Sequence, residues 1–268
     1  MRNVIKGWHI PAWMLVVLIS SVRVATADDC FELLDQFDPE SALPVCEAAA
    51  NRGNVDAQHI VGEMYYNGYG TPVDINKGLK WYRKAAEQGH VVAQFFLGLL
   101  YDKGYGIPKD KNKAVKWYRK AADQGDADAQ FGLGHLFEKG LGVPQDYIMA
   151  IIWYRQAADQ GNAEAQSSLG VLYEKGQGVP QDYKEAVKWY RKAADQGDAF
   201  VQRKLGVMYA NGGKGVIQDY VMAHMWFNLA ASNGNAQSIK NRNSIAERMT
   251  SAQIAEAQKL AREWRPKK

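Results

Sequence analysis

The sequence predicts an all-α protein, an α-solenoid of antiparallel helix pairs, and three observations predict it. A 36-residue unit recurs five times, at 55–90, 91–126, 127–162, 163–198 and 199–235, the last with one extra residue around Gly212-Gly213-Lys214-Gly215. Each unit holds two segments with helical spacing of apolar residues. The same punctuation returns: a Gly-x-Gly-x-Pro loop between the helices of the first four units, and a glycine after the second helix of all five. A fixed period of this length outranks every local signal, because each unit then buries its apolar face on its neighbours.

The first 27 residues stand apart. Arg2 and Lys6 precede an apolar run from Ile10 to Val22, and Ala25-Thr26-Ala27 follows as a small-x-small motif, so 1–27 reads as a signal peptide. The competing reading is an uncleaved anchor. It is disfavoured because the run is well short of the roughly 20 residues that span a bilayer. Net charge is +4 over the 268 residues, but Arg2, Lys6 and Arg23 belong to this segment. The remainder is close to neutral, which gives no support to a nucleic-acid partner. Export also bears on Cys30 and Cys46, the only two cysteines. In an oxidising compartment they are expected to pair as a disulfide, the alternative being two buried free thiols.

The first helix of each unit begins after Asn54, His90, Asp126, Asn162 or Asp198, four of which are good N-caps. It ends at Gly68, Gly104, Gly140, Gly176 or Gly212, where glycine permits a left-handed turn. Asp74, Asp110, Asp146, Asp182 or Asp219 then caps the second helix, which runs toward Gly89, Gly125, Gly161, Gly197 or Gly234. Positions that do not vary between units mark the packed face. On the first helix these are position 4 (always Gln), position 7 (Val or Leu), position 8 (always Gly) and position 11 (Tyr or Phe), with positions 3 and 10 at the edge. Glycine inside a helix costs about 1 kcal/mol relative to alanine, so its return at position 8 implies close helix contact there. The second helix repeats Trp81, Trp117, Trp153, Trp189 and Trp226, each followed by Tyr or Phe and then an alanine pair. A ligand-stacking ladder is conceivable. Residues needed identically in every unit read better as filling the same space between helices.

The unit as it stands at Ala163 to Gly197, A-x-A-Q-x-x-L-G-x-L-Y-x-x-G-x-G-V-P through W-Y-x-K-A-A-x-Q-G, resembles the Sel-1-like repeat, a relative of the tetratricopeptide repeat with a longer loop. The resemblance covers residues 55–235 and implies a right-handed α-solenoid. It also implies capping helices at 28–54 and 236–268. Ala49-Ala50-Asn51-Arg52-Gly53-Asn54 aligns with the end of a second helix, and Thr250 with Gln253 reads as a capping box before Ile254, Leu260 and Trp264. A Cys30–Cys46 bridge would staple the leading cap, worth about 3 kcal/mol on the chain-entropy model.

By the same resemblance, the variable positions of the first helices line a concave groove that holds a protein or peptide. The candidate groove residues are His59 and Glu63 in the first unit, Phe95 and Leu99 in the second, and Phe131 and His135 in the third. Ser167 and Val171 follow in the fourth unit, Arg203 and Val207 in the fifth. Phe95, Leu99 and Phe131 form either an apolar binding patch or rings tucked into a neighbouring core. No HExxH, Walker, G-x-S-x-G or S-x-x-K motif occurs, and no two histidines share a helix at ligand spacing, so neither a catalytic residue, a metal nor a cofactor is expected. Arg83, Arg119, Arg155 and Arg191 each precede an acid by four residues, the pattern of a solvated helix face. The expected function is a non-catalytic, monomeric interaction scaffold of the periplasm or secreted space, not membrane-spanning once the leader is removed. The alternative is an enzyme or accessory factor in cell-wall or β-lactam chemistry.

Overall fold

The computed structural model describes residue 30 and residues 32–34 and 39–266; the expected signal peptide lies outside them. The described residues form helices joined by turns and loops, without a strand; one isolated bridge joins Gly213 and Val216. Two compact units divide at the boundary between the first and second repeats, residues 1–90 and 91–268.

The first unit contains α1 (Pro39–Asn51), α2 (Val55–Asn67) and α3 (Ile75–Glu87). Asn54 and Asp74 cap α2 and α3 by accepting the backbone N–H of Ala57 and Lys77. α1 begins and ends 36 residues before α3, so it stands in the register of a repeat's second helix. Cys46 therefore stands in the register of Tyr82. It is disulfide-bonded to Cys30 with Cα atoms 4.8 Å apart, and both cysteines are fully buried.

The second unit contains the helix pairs α4 (Val91–Lys103) and α5 (Lys111–Asp123), α6 (Ala127–Lys139) and α7 (Tyr147–Asp159), α8 (Ala163–Lys175) and α9 (Tyr183–Asp195), and α10 (Ala199–Asn211) and α11 (Tyr220–Ser232). α12 (Ala236–Ala246) and α13 (Ser251–Glu263) then pack on α11. The Thr250–Gln253 capping box forms at the start of α13, and Leu260 and Trp264 reach the core beside Met225 and Trp226. Each second helix is capped by its aspartate. The loop before it is braced by a backbone bond from that aspartate to the carbonyl at position 11, as in Asp146 to Phe137. The second loop glycine has a further role. Gly142 has φ +73° and lies so close to the Lys111 backbone that a Cβ would sit 2.5 Å from its carbonyl carbon. Four of the five loops follow this glycine with proline; the fifth has Ile217, 85 % exposed, in its place.

The buried face of the first helices is rotated from the expected one. Positions 3 and 7 are fully buried in all five repeats, while position 11 is only half-buried at Tyr101, Tyr173 and Tyr209. Tyr65 and Phe137, at the same position, are buried. The residue after each tryptophan is the better buried of the two in most repeats: Tyr82, Tyr118, Tyr154, Tyr190 and Phe227 are all core, whereas Trp117 is half-buried. These rings lie on the position-8 glycines. A Cβ on Gly98, Gly170 or Gly206 would stand 2.5 Å from the ring of Tyr118, Tyr190 or Phe227. The close contact expected from the repeated glycine is thus a tyrosine ring laid on helix backbone.

Candidate functional site

Between each pair of repeats in the second unit, the buried position-4 glutamine is the hydrogen-bonding hub. Gln130, Gln166 and Gln202 donate to the carbonyl oxygens of Ala122, Ala158 and Ala194 in the preceding repeat. Their amide oxygens accept from Gln160, Gln196 and Asn233 at the far end of their own repeat. Gln58 does the same in the first unit, donating to Ala50 and accepting from Gln88. A buried amide left unpaired would cost about 1–3 kcal/mol, so every repeat must supply both partners. These residues are structural, and so are the tryptophans: Trp153 and Trp189 are buried, and the Lys120 and Lys192 ammonium groups lie 4.8 and 4.2 Å from the ring centres of Trp117 and Trp189. The expected arginine–acid pairs on this face are replaced in two repeats. Arg155 donates to the Tyr173 hydroxyl at 2.6 Å and Arg119 lies over the Phe137 ring.

The side chains left for a site are those of positions 5 and 9 on the first helices, and all ten are half-buried. Four of them meet in one cavity of about 310 Å³ between α4 and α6, where Phe95, Leu99, Phe131 and His135 line the wall. Phe95 and Phe131 lean on core rings, with centroids 6.0 Å from Tyr118 and 5.7 Å from Tyr154. They are therefore both a cavity wall and an outer layer of the core, which joins the two readings of this patch. The cavity also takes in Asp102, Lys103, Asp128 and Glu164. Asp102 is neutralised locally, with Lys111 at 2.6 Å and Lys103 at 2.9 Å; despite the upward push of burial, these hold its carboxyl below the usual range. Burial pushes the His135 imidazole down, so it is neutral at pH 7.

The other candidates do not join this cavity. Val171 packs on the core with Val187, and Val207 lines a separate depression with Phe227 and Ile245. Arg203 sits over the Phe200 ring at 5.3 Å. In the first unit, His59 stacks on His90 with centroids 4.6 Å apart, and burial followed by the neighbouring His90 lowers its pKa to about 4. Tyr118 and Gly132 line the cavity and were not among the expected residues. Gly132 had a visible signal: position 6 is Ile60, Phe96, Ser168 or Lys204 in the other repeats. Among the described residues no helix is long and apolar enough to cross a membrane, and no group of three His, Cys, Asp or Glu side chains could hold a metal.

The family model for the Sel1 repeat matches residues 55–90, 91–126, 127–162, 163–198 and 199–235, and the chain belongs to this family, whose members are generally protein-interaction scaffolds. Among solved structures, a Sel1 repeat protein from Oxalobacter formigenes is 34 % identical with a TM-score of 0.73, over 89 % of this chain and 96 % of that one. The structure of c5321, described as a protective antigen of uropathogenic Escherichia coli with the same repeat fold, is 32 % identical with a TM-score of 0.54. That match covers 84 % of this chain but only 56 % of c5321. No curated protein matches the chain.

Proposed function

We propose that the chain is a non-catalytic scaffold, working in the periplasm or secreted space, that holds a protein or peptide partner in a concave groove lined by positions 5 and 9 of its first helices. The observation that carries this reading is the cavity of about 310 Å³ walled by Phe95, Leu99 and Phe131. Half-buried apolar side chains beside a charged rim, at positions that vary from repeat to repeat, are where a partner gains affinity without disturbing the repeated core. The buried Cys30–Cys46 bridge supports export, since such bridges persist in oxidising compartments. Residues 1–27 as a cleaved signal peptide and 28–54 and 236–268 as caps belong to the same proposal. The test is crosslinking pull-down from the periplasmic and culture fractions with the mature chain and with a Phe95→Ala/Phe131→Ala variant. A partner held by the first and released by the second supports the groove. Partners retained equally by both place binding elsewhere.

A further inference from the structure

The tyrosine that follows the repeat tryptophan is covered differently in the second repeat than in the third and fourth. Tyr154 donates its hydroxyl to Glu138 at 2.7 Å, and Ser168 at position 6 of the following repeat reaches the same hydroxyl. Tyr190 donates to Glu174 at 2.7 Å, and Lys204 at that same position 6 lies over its ring. Tyr118 is the exception. The matching carboxylate, Asp102, is engaged by Lys103 and Lys111, and position 6 of the following repeat is Gly132. A Cβ there would meet the hydroxyl end of the Tyr118 ring at 3.0 Å, so the glycine leaves that end open to the cavity. Tyr118 is only 3 % exposed, and its hydroxyl has no hydrogen-bond partner among the described residues. An interior helical glycine is costly, and here it stands where the cavity reaches the hydroxyl end of the Tyr118 ring.

The charge at the mouth points one way. The lining residues include three carboxylates, Asp102, Asp128 and Glu164, against the single ammonium of Lys103, while His135 is neutral. Asp102 is already satisfied by lysines. Asp128 and Glu164 are exposed and in no ion pair; Asp128 accepts only the neutral Asn162 amide at 2.9 Å. We infer that this cavity is a socket for one large apolar side chain of a peptide, and that Asp128 and Glu164 select a lysine or arginine directly beside that side chain. The inference rests on the groove reading above and names the partner class.

The experiment is selection of phage-displayed random short peptides on the immobilised full chain, read by sequencing. Peptides with Phe, Leu, Ile or Trp next to Lys or Arg are expected to be preferred about tenfold over the same apolar residue next to Asp or Glu, equivalent to about 1.4 kcal/mol. Asp128→Lys/Glu164→Lys should keep the apolar preference and exchange the basic neighbour for an acidic one. Gly132→Leu should abolish the apolar preference by filling the socket. Where its melting curve departs from that of the parent chain, Gly132→Ser, which carries the side chain found at position 6 of the next repeat, takes its place. No enrichment, or enrichment of acidic neighbours by the parent chain, overturns the inference. Peptides lost by Phe95→Ala/Phe131→Ala yet unaffected by the Gly132 and charge variants refute the socket while the groove stands. Peptides retained by every variant refute both.

Discussion

Gln160 donates its side-chain amide to Gln130 at 2.8 Å, and Gln130 donates in turn to the Ala122 carbonyl oxygen at 3.2 Å. One buried amide thus joins the start of α6 to the ends of α5 and α7. Gln160 also reaches the Gly125 carbonyl oxygen at 3.0 Å, so two consecutive repeats are clasped by a pair of glutamines.

Replacing Gln130 by Leu keeps the volume and removes both bonds. The Ala122 carbonyl then loses its side-chain donor in a dry site, and a loss of about 1–3 kcal/mol is expected. Gln160→Ala should cost less, because that residue is exposed and water can replace its bonds. Urea midpoints of the two variants, measured side by side, check the order. Equal shifts would mean that burial of Gln130 contributes nothing of its own.

Gly170→Ala sets helix propensity against packing. Propensity alone favours alanine by about 1 kcal/mol. A Cβ at Gly170, however, would lie 2.5 Å from both Tyr190 Cδ1 and Cε1, on a ring that is fully buried and tied to Glu174. Overpacking of this kind costs about 1–3 kcal/mol, so net destabilisation is expected. A higher melting temperature than the parent chain would show that the ring moves aside freely.

The repeat made most of this fold legible in the sequence. The aspartate caps, the position-4 glutamines and the position-8 glycines all recur, and recurrence marks a residue bound by the same partner each time. The rotation of the buried face was not legible, because position 11 is aromatic in every repeat whether its ring is covered or emerges. The candidate cavity was legible only in part. Phe95, Leu99, Phe131 and His135 do share one cavity, but its floor is Tyr118, which the repeat disguises as an ordinary core ring. Only Gly132, a departure at a position that otherwise carries a side chain, betrayed the opening.

The disulfide makes a prediction for the leading cap. Cys46 holds the register of Tyr82, whose ring lies on a glycine of the preceding helix, and is instead bridged to Cys30. Both sulfurs are buried with Ala42, Ala49 and Val61. A bridge spanning 16 residues stabilises by about 3 kcal/mol on the chain-entropy model. Cys30→Ser/Cys46→Ser should therefore lower hydrogen-exchange protection of α1 and α2 by about a hundredfold, since about 1.4 kcal/mol is a factor of ten, while α8 is unaffected. Loss of protection spread evenly along the chain would contradict a local staple.

The last prediction concerns acid. His59 is packed on His90 and Tyr82, and its pKa is lowered to about 4 by burial first and the proximity of His90 second, with Asp56 opposing. His90 is lowered too, by burial, although Asp56 stands 3.4 Å away and pulls the other way. Unfolded histidine titrates near 6.5, so between about pH 6.5 and pH 4 the unfolded first unit binds more protons than the folded one. Stability of that unit is then complete above about pH 6.5 and falls as pH drops through this window. His59→Phe should flatten the decline, and phenylalanine is what the next two repeats carry at this position, Phe95 and Phe131. The measurement is the protection factor of α2 amides against pH for the parent chain and the variant, with α6 amides as the internal reference. Parallel declines in the two proteins would show that His59 is not the group whose protonation opens the first unit.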